Sequence, residues 1–269
     1  ATRGEYRNGH LGAVEGNVVI DQALIHKQPV QDVFAHLIVD PAKAPGVLQI
    51  KNIRGKLFGG ALGGEVALRL EPVLRYDVSI NAVGVQLEEV ARHNKLGPDA
   101  ELTGRAEAHL YLAGQGENLN ALRGGGFVRV PKGRIGNIPP LLDLLKFVKG
   151  QQPDGTFFEE AFAKFRIEGP TARFDELDLV GNLLSLTGDG EMKLDGTGVK
   201  LDIYPILSRF VQALPNPVRT VPTSIGRNLY KIEMTGELGG KLNLRSEAVP
   251  VIVEPVKRLL GRIEANPAH

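Results

Sequence analysis

Residues 102–149 read LTGRAEAHLYLAGQGENLNALRGGGFVRVPKGRIGNIPPLLDLLKFVK, and the fold of the chain follows from how this stretch is read. Leu102, Gly104, Ala106, Ala108, Leu110 and Leu112 fall on one side of an extended chain. Thr103, Arg105, Glu107, His109 and Tyr111 fall on the other, which is the two-residue period of a half-buried strand. The Gly-rich reversal GQGENLNALRGGG leads into a second run at Phe127 to Val130. Pro139 and Pro140 then suit the first turn of a helix, in which Leu141, Leu142, Leu144, Leu145 and Val148 leave only a narrow polar stripe at Asp143, Lys146 and Lys149.

The same alternation spreads outward in both directions. Upstream, strands are expected at 14–24, 33–39 and 47–58, the last ending in a Gly-rich turn, and the pattern resumes through Val66, Leu68 and Leu70 and through Leu74, Tyr76, Val78, Ile80 and Ala82. A short helix is expected at 86–93, because Leu87, Val90 and Ala91 share a face, and Gly97-Pro98 ends it. Downstream, strands are expected near 158–168, 172–180, 183–187, 191–194 and 199–204. Pro205 is read as opening a helix through Leu214, and further strand faces lie at Tyr230, Ile232 and Met234 and at 241–244. Long strands with short Gly-rich turns argue for an antiparallel meander and against a parallel sheet. Residues 1–12 are polar and Gly-rich and read as a linker. Residues 250–269 read as a terminal amphipathic helix and tail, with Val256, Leu259, Leu260 and Ile263 apolar, Lys257, Arg258 and Arg262 on the polar side, and docking on this or a neighbouring domain expected. With no clear mid-chain linker, residues 1–269 are read as a single domain.

Composition removes several function classes. The 269 residues carry 32 Lys+Arg against 31 Asp+Glu, a net charge of +1 that lacks the basic excess phosphate backbones select, so nucleic acid is not an expected partner. The absence of Cys excludes disulfides, thiol catalysis and Cys-ligated zinc while leaving the compartment open. No apolar run approaches the roughly 20 residues of a membrane span.

No catalytic or metal motif stands out. His10, His26, His36, His93, His109 and His269 show no helical zinc spacing and read as surface or strand-face residues. No Ser sits in a Gly-x-Ser-x-Gly elbow. The clusters Gly59-Gly60, Gly63-Gly64 and Gly124 to Gly126 lack the Gly-Lys-Ser/Thr of a phosphate loop and read as tight turns. Asp189-Gly190 and Asp195-Gly196 lack the alternating acidic ligands of a calcium loop and read as hairpin turns. Glu88-Glu89 and Glu159-Glu160 are adjacent pairs whose side chains point apart, so neither is a preformed acid/base dyad. The chain is therefore read as no enzyme, with no cofactor and no metal.

The order "Leu-x-Gly, long alternating strand, Gly-x-Gly, short Leu-rich turn, Leu-x-Gly-Gly-Gly, strand, small turn, Ile-Pro-x-Leu-x-x-Leu" resembles the C-terminal region of AsmA-like proteins, a family related to TamB-type and bridge-like lipid transfer proteins. LQIKNIRGKLFGG at 48–60, FRIEG at 165–169, LDLVG at 177–181, LTGDG at 186–190 and LDIYP at 201–205 follow in the family's order, so the resemblance spans about residues 13 to 245. It implies a mainly β fold: a long, strongly curved antiparallel sheet, groove-like or taco-like, with a few short helices covering an edge or an end. It also implies a non-catalytic groove that holds phospholipid or another acyl lipid for phospholipid transport or outer-membrane biogenesis. The groove face would comprise Val66, Leu68, Leu70, Tyr76, Val78, Ile80, Ala106, Leu110 and Leu112. Family members carry an N-terminal transmembrane anchor, so the expected setting is the periplasm, tethered to the inner membrane through an anchor preceding this chain, with other envelope proteins as possible partners.

The energetic need for such a groove is clear. Each buried CH₂ contributes about 0.8 kcal/mol, so a sixteen-carbon chain loses on the order of 12 kcal/mol on entering water. Read from periodicity alone, the same alternating residues better suit a closed core between two sheets or under helices; the resemblance shifts the reading to a groove, and a structural or assembly scaffold with no ligand stays open as the alternative. A sugar-cleaving sandwich would need two acids about 5–9 Å apart across a cleft, and the absence of Trp counts against sugar stacking.

Overall fold

The computed structural model describes residues 2–7, 10–25, 27–70, 72–94, 102–135, 158–181, 184–207, 230–238, 240, 242–249 and 253–265. The chain is mainly β. Its contacts divide it into two compact units, one comprising Ala1–His93, Arg105–Val128 and Arg166–Pro170, the other Asn94–Gly104, Arg129–Phe165 and Thr171–His269.

The first unit begins with β1 (Thr2–Arg7), β2 (His10–Ile25), β3 (Gln28–Val39), β4 (Val47–Leu57), β5 (Gly60–Arg69) and β6 (Arg75–Gln86), followed by the helix α1 (Leu87–His93). Most of β7 (Leu102–Gln115) and β8 (Arg123–Val130) complete it. Neighbours in the sheet are neighbours in sequence, and every ladder from β1 to β7 is antiparallel. The meander expected from the short Gly-rich turns is thus present. The tip between β4 and β5 holds both Phe58 (φ 46°) and Gly59 (φ 72°) in the left-handed region, which suits a two-residue hairpin whose turn must match the right-handed strand twist.

The second unit contains β9 (Gly133–Ile135), most of β10 (Phe158–Glu168), β11 (Thr171–Gly181), β12 (Leu184–Lys193), β13 (Val199–Leu207), β14 (Tyr230–Gly236), β15 (Leu242–Ala248) and the helix α2 (Glu254–Ala265). Strands β11 to β15 again pair in sequence order and antiparallel. Its core is tight: Phe158, Leu184, Ile232 and Leu259 are fully buried.

The structure corrects three expectations. Residues 1–12 are not only a linker, because Thr2–Arg7 forms β1 against β2, from Thr2 opposite Gly16 to Arg7 opposite His10. A polar, Gly-rich stretch becomes a strand when a neighbour's backbone satisfies its hydrogen bonds, whatever its own propensity. Pro205 does not open a helix either. It lies inside β13 opposite Leu186, and the strand runs on to Leu207. Finally, Gly63, Gly64, Gly124 to Gly126 and Asp189-Gly190 sit within β5, β8 and β12 rather than in turns, so the strands expected at 183–187 and 191–194 are one strand. The expected helix at 139–149 and the rest of the one at 205–214 lie outside the described residues.

Candidate functional site

Residues directly opposite in an antiparallel ladder share a face of the sheet, so the register of the first unit can be read as rows crossing six strands. One row is Val14, Val39, Leu48, Leu68, Tyr76 and Gly114. The next is Gly16, Leu37, Ile50, Val66, Val78 and Leu112. A third joins Ile53, Gly64, Ile80 and Leu110. At the usual spacing of about 4.8 Å between strands, a six-strand row runs roughly 24 Å. The face is continuous and apolar.

Its burial is graded along the strands. Towards α1 it ends in buried side chains, Val30, Leu62, Ala82, Val85 and Ala106, none more than 9% exposed. Towards the other end Leu48, Ile50, Val66, Leu68, Tyr76, Val78, Ile80, Leu110 and Leu112 are all half-buried. Past the end of β5, Leu70 is 54% exposed. Of the nine groove residues expected from the sequence, the structure brings Val66, Leu68, Tyr76, Val78, Ile80, Leu110 and Leu112 into the half-buried rows, places Ala106 at the buried end and leaves Leu70 at the rim.

Two mid-strand glycines explain how so many large side chains fit on one face. A β-carbon on Gly64 would stand 2.8 Å from Ile80 Cδ1, and one on Gly114 would stand 2.5 Å from Tyr76 Cζ. At Gly114 the Tyr76 ring lies sideways across its partner strand, over the space the glycine leaves free, whereas at Gly64 the nearest atom is the Ser79 backbone carbonyl oxygen. The arrangement at Gly114 flattens the apolar surface, because the ring lies along the sheet instead of projecting from it.

The opposite face mixes cross-strand polar pairs with exposed apolar side chains such as Val19, Phe34, Val83 and Tyr111. His36 Nδ1 is 2.8 Å from Asn17 Oδ1 and its Nε2 is 3.0 Å from Glu15 Oε1, while His109 Nδ1 is 2.6 Å from Asn81 Oδ1. These histidines are strand-face residues held by cross-strand partners. A cleft of about 420 Å³ beside α1 is bounded by Lys56, Phe58, Arg92 and His93. Lys56 Nζ is engaged by Asp32 at 2.7 Å and the Arg92 guanidinium by Glu89 at 2.8 Å, so its charges are matched within the protein. Among the described residues no three His, Asp or Glu gather as a metal-holding group, and no helix is long and apolar enough to cross a membrane.

The second unit carries a buried charged cluster that sequence reading missed. Helix α2 buries Val256, Leu259 and Leu260 against Tyr204 and Ile206, with Val180, Val249 and Val253 around them. Arg258 and Arg262, expected on the polar side of this helix, are turned into the sheet. Arg262 Nη1 donates to Asp178 Oδ2 at 2.7 Å and its Nη2 to Glu176 Oε1, with the guanidinium 4.5 Å above the Phe162 ring. Thr187 Oγ1 donates to Asp178 Oδ1 at 2.6 Å. Burial pushes the Asp178 carboxyl above its ordinary range, against the pull of the Thr187 hydroxyl and Arg262. Arg258 Nε and Nη2 are buried without a hydrogen-bond partner, with Nε 3.5 Å from Glu176 Oε1. This geometry seats the helix on the sheet.

Sequence reading also missed the breadth of the apolar face. Val14, Leu37, Val39, Leu48 and Ile50 extend it over three more strands, and the alternation of 47–58 carried that signal. Comparison with protein-family models, curated proteins and solved structures gives no match for this chain.

Proposed function

We propose that this chain is a non-catalytic acyl-lipid-binding module of the AsmA-like type, acting in phospholipid transport or outer-membrane biogenesis in the periplasm. The observation that carries the reading is the set of register-aligned apolar rows in the first unit, whose side chains are half-buried where a closed core would bury them completely. Half-buried aliphatic surface of this extent is costly in water, and contiguous apolar patches of several hundred Å² mark interaction sites. A phospholipid tail laid along the rows would remove both its own methylenes and these side chains from water, at about 0.8 kcal/mol per CH₂. The strongly curved, groove-like form of the sheet, the inner-membrane tether and partnership with other envelope proteins belong to this proposal.

Native mass spectrometry of the purified chain, together with titration by a fluorescent fatty-acyl probe, tests the reading. Co-purified phospholipid and saturable probe uptake are the expected results. A lipid-free chain that takes up no probe would leave a packed scaffold in its place.

A further inference from the structure

The half-buried end of the apolar face leads to a cluster of loops that are joined to one another. The Leu70 N–H donates to the Gly46 carbonyl at 3.1 Å, tying the loop after β5 to the loop before β4. The Gly116 N–H donates to the Leu74 carbonyl at 2.8 Å, tying it to the turn after β7. This joined rim exposes aliphatic side chains beside the half-buried end of the candidate acyl face, Leu70 at 54%, Val73 at 45%, Leu74 at 40% and Leu119 at 55%. The exposed Arg69 and Arg75 face each other in the β5–β6 ladder at the base of the same loop. Immediately behind them stand Leu68 and Tyr76, a pair from the last row of the face.

From this continuity we infer that the rim formed by Leu70, Val73, Leu74 and Leu119 docks on a phospholipid bilayer and passes acyl chains onto the Leu68–Tyr76 end of the face. The inference rests on the lipid-binding reading and names the surface from which the lipid comes. Aliphatic loop tips enter the interfacial zone, and arginines one residue behind them reach the phosphate level by extending their side chains along the apolar surface. Charge plays the smaller part. The basic Arg69, Arg75 and Lys43 are accompanied by Asp40, which Lys43 engages at 3.2 Å, by Glu117 and, in sequence, by Glu71. Binding is therefore expected on zwitterionic vesicles, with anionic lipid strengthening it only a few-fold.

Flotation with phosphatidylcholine vesicles, alone and with anionic phosphatidylglycerol added, tests the inference against detergent-delivered fatty-acyl probe as a reference. The parent chain should float, and the double variant Val73→Asp/Leu119→Asp should lose at least tenfold in vesicle binding while taking up detergent-delivered probe as the parent does. The milder Val73→Ser/Leu119→Ser pair, checked by circular dichroism, should show a smaller loss of the same kind. A parent that takes up probe but does not float, or folded variants that float as well as the parent, would overturn the docking rim and leave lipid binding standing. A parent that floats through a protein contaminant, so that flotation vanishes on further purification, overturns it in favour of a protein partner. A parent that takes up no probe overturns the lipid reading itself, and this inference with it.

Discussion

The phenol ring of Tyr76 lies across Gly114 on the neighbouring strand, in the place a β-carbon at position 114 would occupy. Giving that glycine a side chain must displace the ring from the apolar surface. Gly114→Ala is expected to destabilise the protein by about 1–3 kcal/mol, the usual cost of overpacking. In a Tyr76→Ala background the same change should be nearly neutral, and a double-mutant cycle in urea should give a coupling of about 1 kcal/mol or more. Additive effects would show that the ring can move away freely.

Leu110 stands opposite Ile80 in a half-buried row, which separates an open face from a closed core. On an open face a charge at this position reaches water. Leu110→Lys and Leu110→Asp should both fold, as judged by circular dichroism, and both should bind a fatty-acyl probe at least about tenfold more weakly, since losing contact with two methylenes already costs about 1.6 kcal/mol. The short aspartate cannot snorkel as the lysine can. Two unfolded variants would identify a sealed core.

Arg262 and Asp178 join α2 to β11, with the Asp178 side chain 1% and the Arg262 side chain 29% exposed. Removing the cation strands a buried carboxylate. Arg262→Ala should cost roughly 2–4 kcal/mol, below the full value for a buried pair because Arg262 keeps some contact with water. Replacing both partners, as Arg262→Met with Asp178→Leu, should recover much of that loss in thermal denaturation. Failure of the double variant to recover would mean that the bonds lost with the pair, from Thr187 to Asp178 and from Arg262 to Glu176, contribute more to seating the helix than the Arg262–Asp178 contact itself.

Asp189 lies opposite Asp202 in the β12–β13 ladder, and burial, aided by that neighbouring charge, raises its carboxyl above the ordinary value of 3.8. The folded state therefore holds this proton more tightly than the unfolded state does. The associated stability is complete below the unfolded value and is lost as pH rises through the raised folded value, so at neutral pH the ionised Asp189 is a burden. Asp189→Asn should raise the melting temperature at pH 7, and the gain should shrink as the pH is lowered through the raised folded value and be gone below the unfolded value of about 4. A variant no more stable than the parent at pH 7 would show that Lys231 and Arg258 already compensate the charge.

The sequence by itself determined the parts of this protein that depend on period and turn chemistry. Alternation in residues 102–112 and in its counterparts specifies strands, because side chains on an extended backbone point to opposite sides in turn. The short Gly-rich connections specify antiparallel neighbours. The apolar set Val66, Leu68, Tyr76, Val78, Ile80, Leu110 and Leu112 could be named without coordinates, since residues of one parity on adjacent hairpin strands share a face. The helix at Leu87–His93 was legible from its three-residue apolar face. What only the tertiary structure decided is how that face is filled and how deeply each residue lies. Whether a glycine turns the chain or makes room for a ring depends on the side chain opposite it, which is set by register and not by local sequence, and so Gly64 and Gly114 looked like any other glycines. Pro205 could be read as a helix start because Pro fits that position, but its place in β13 depends on Leu186 opposite it. Arg258 and Arg262 read as a solvated stripe because the helix pattern contains no partner for them. Their partners, Glu176 and Asp178, lie some eighty residues earlier in the chain and meet them only when α2 packs on β11, β12 and β13.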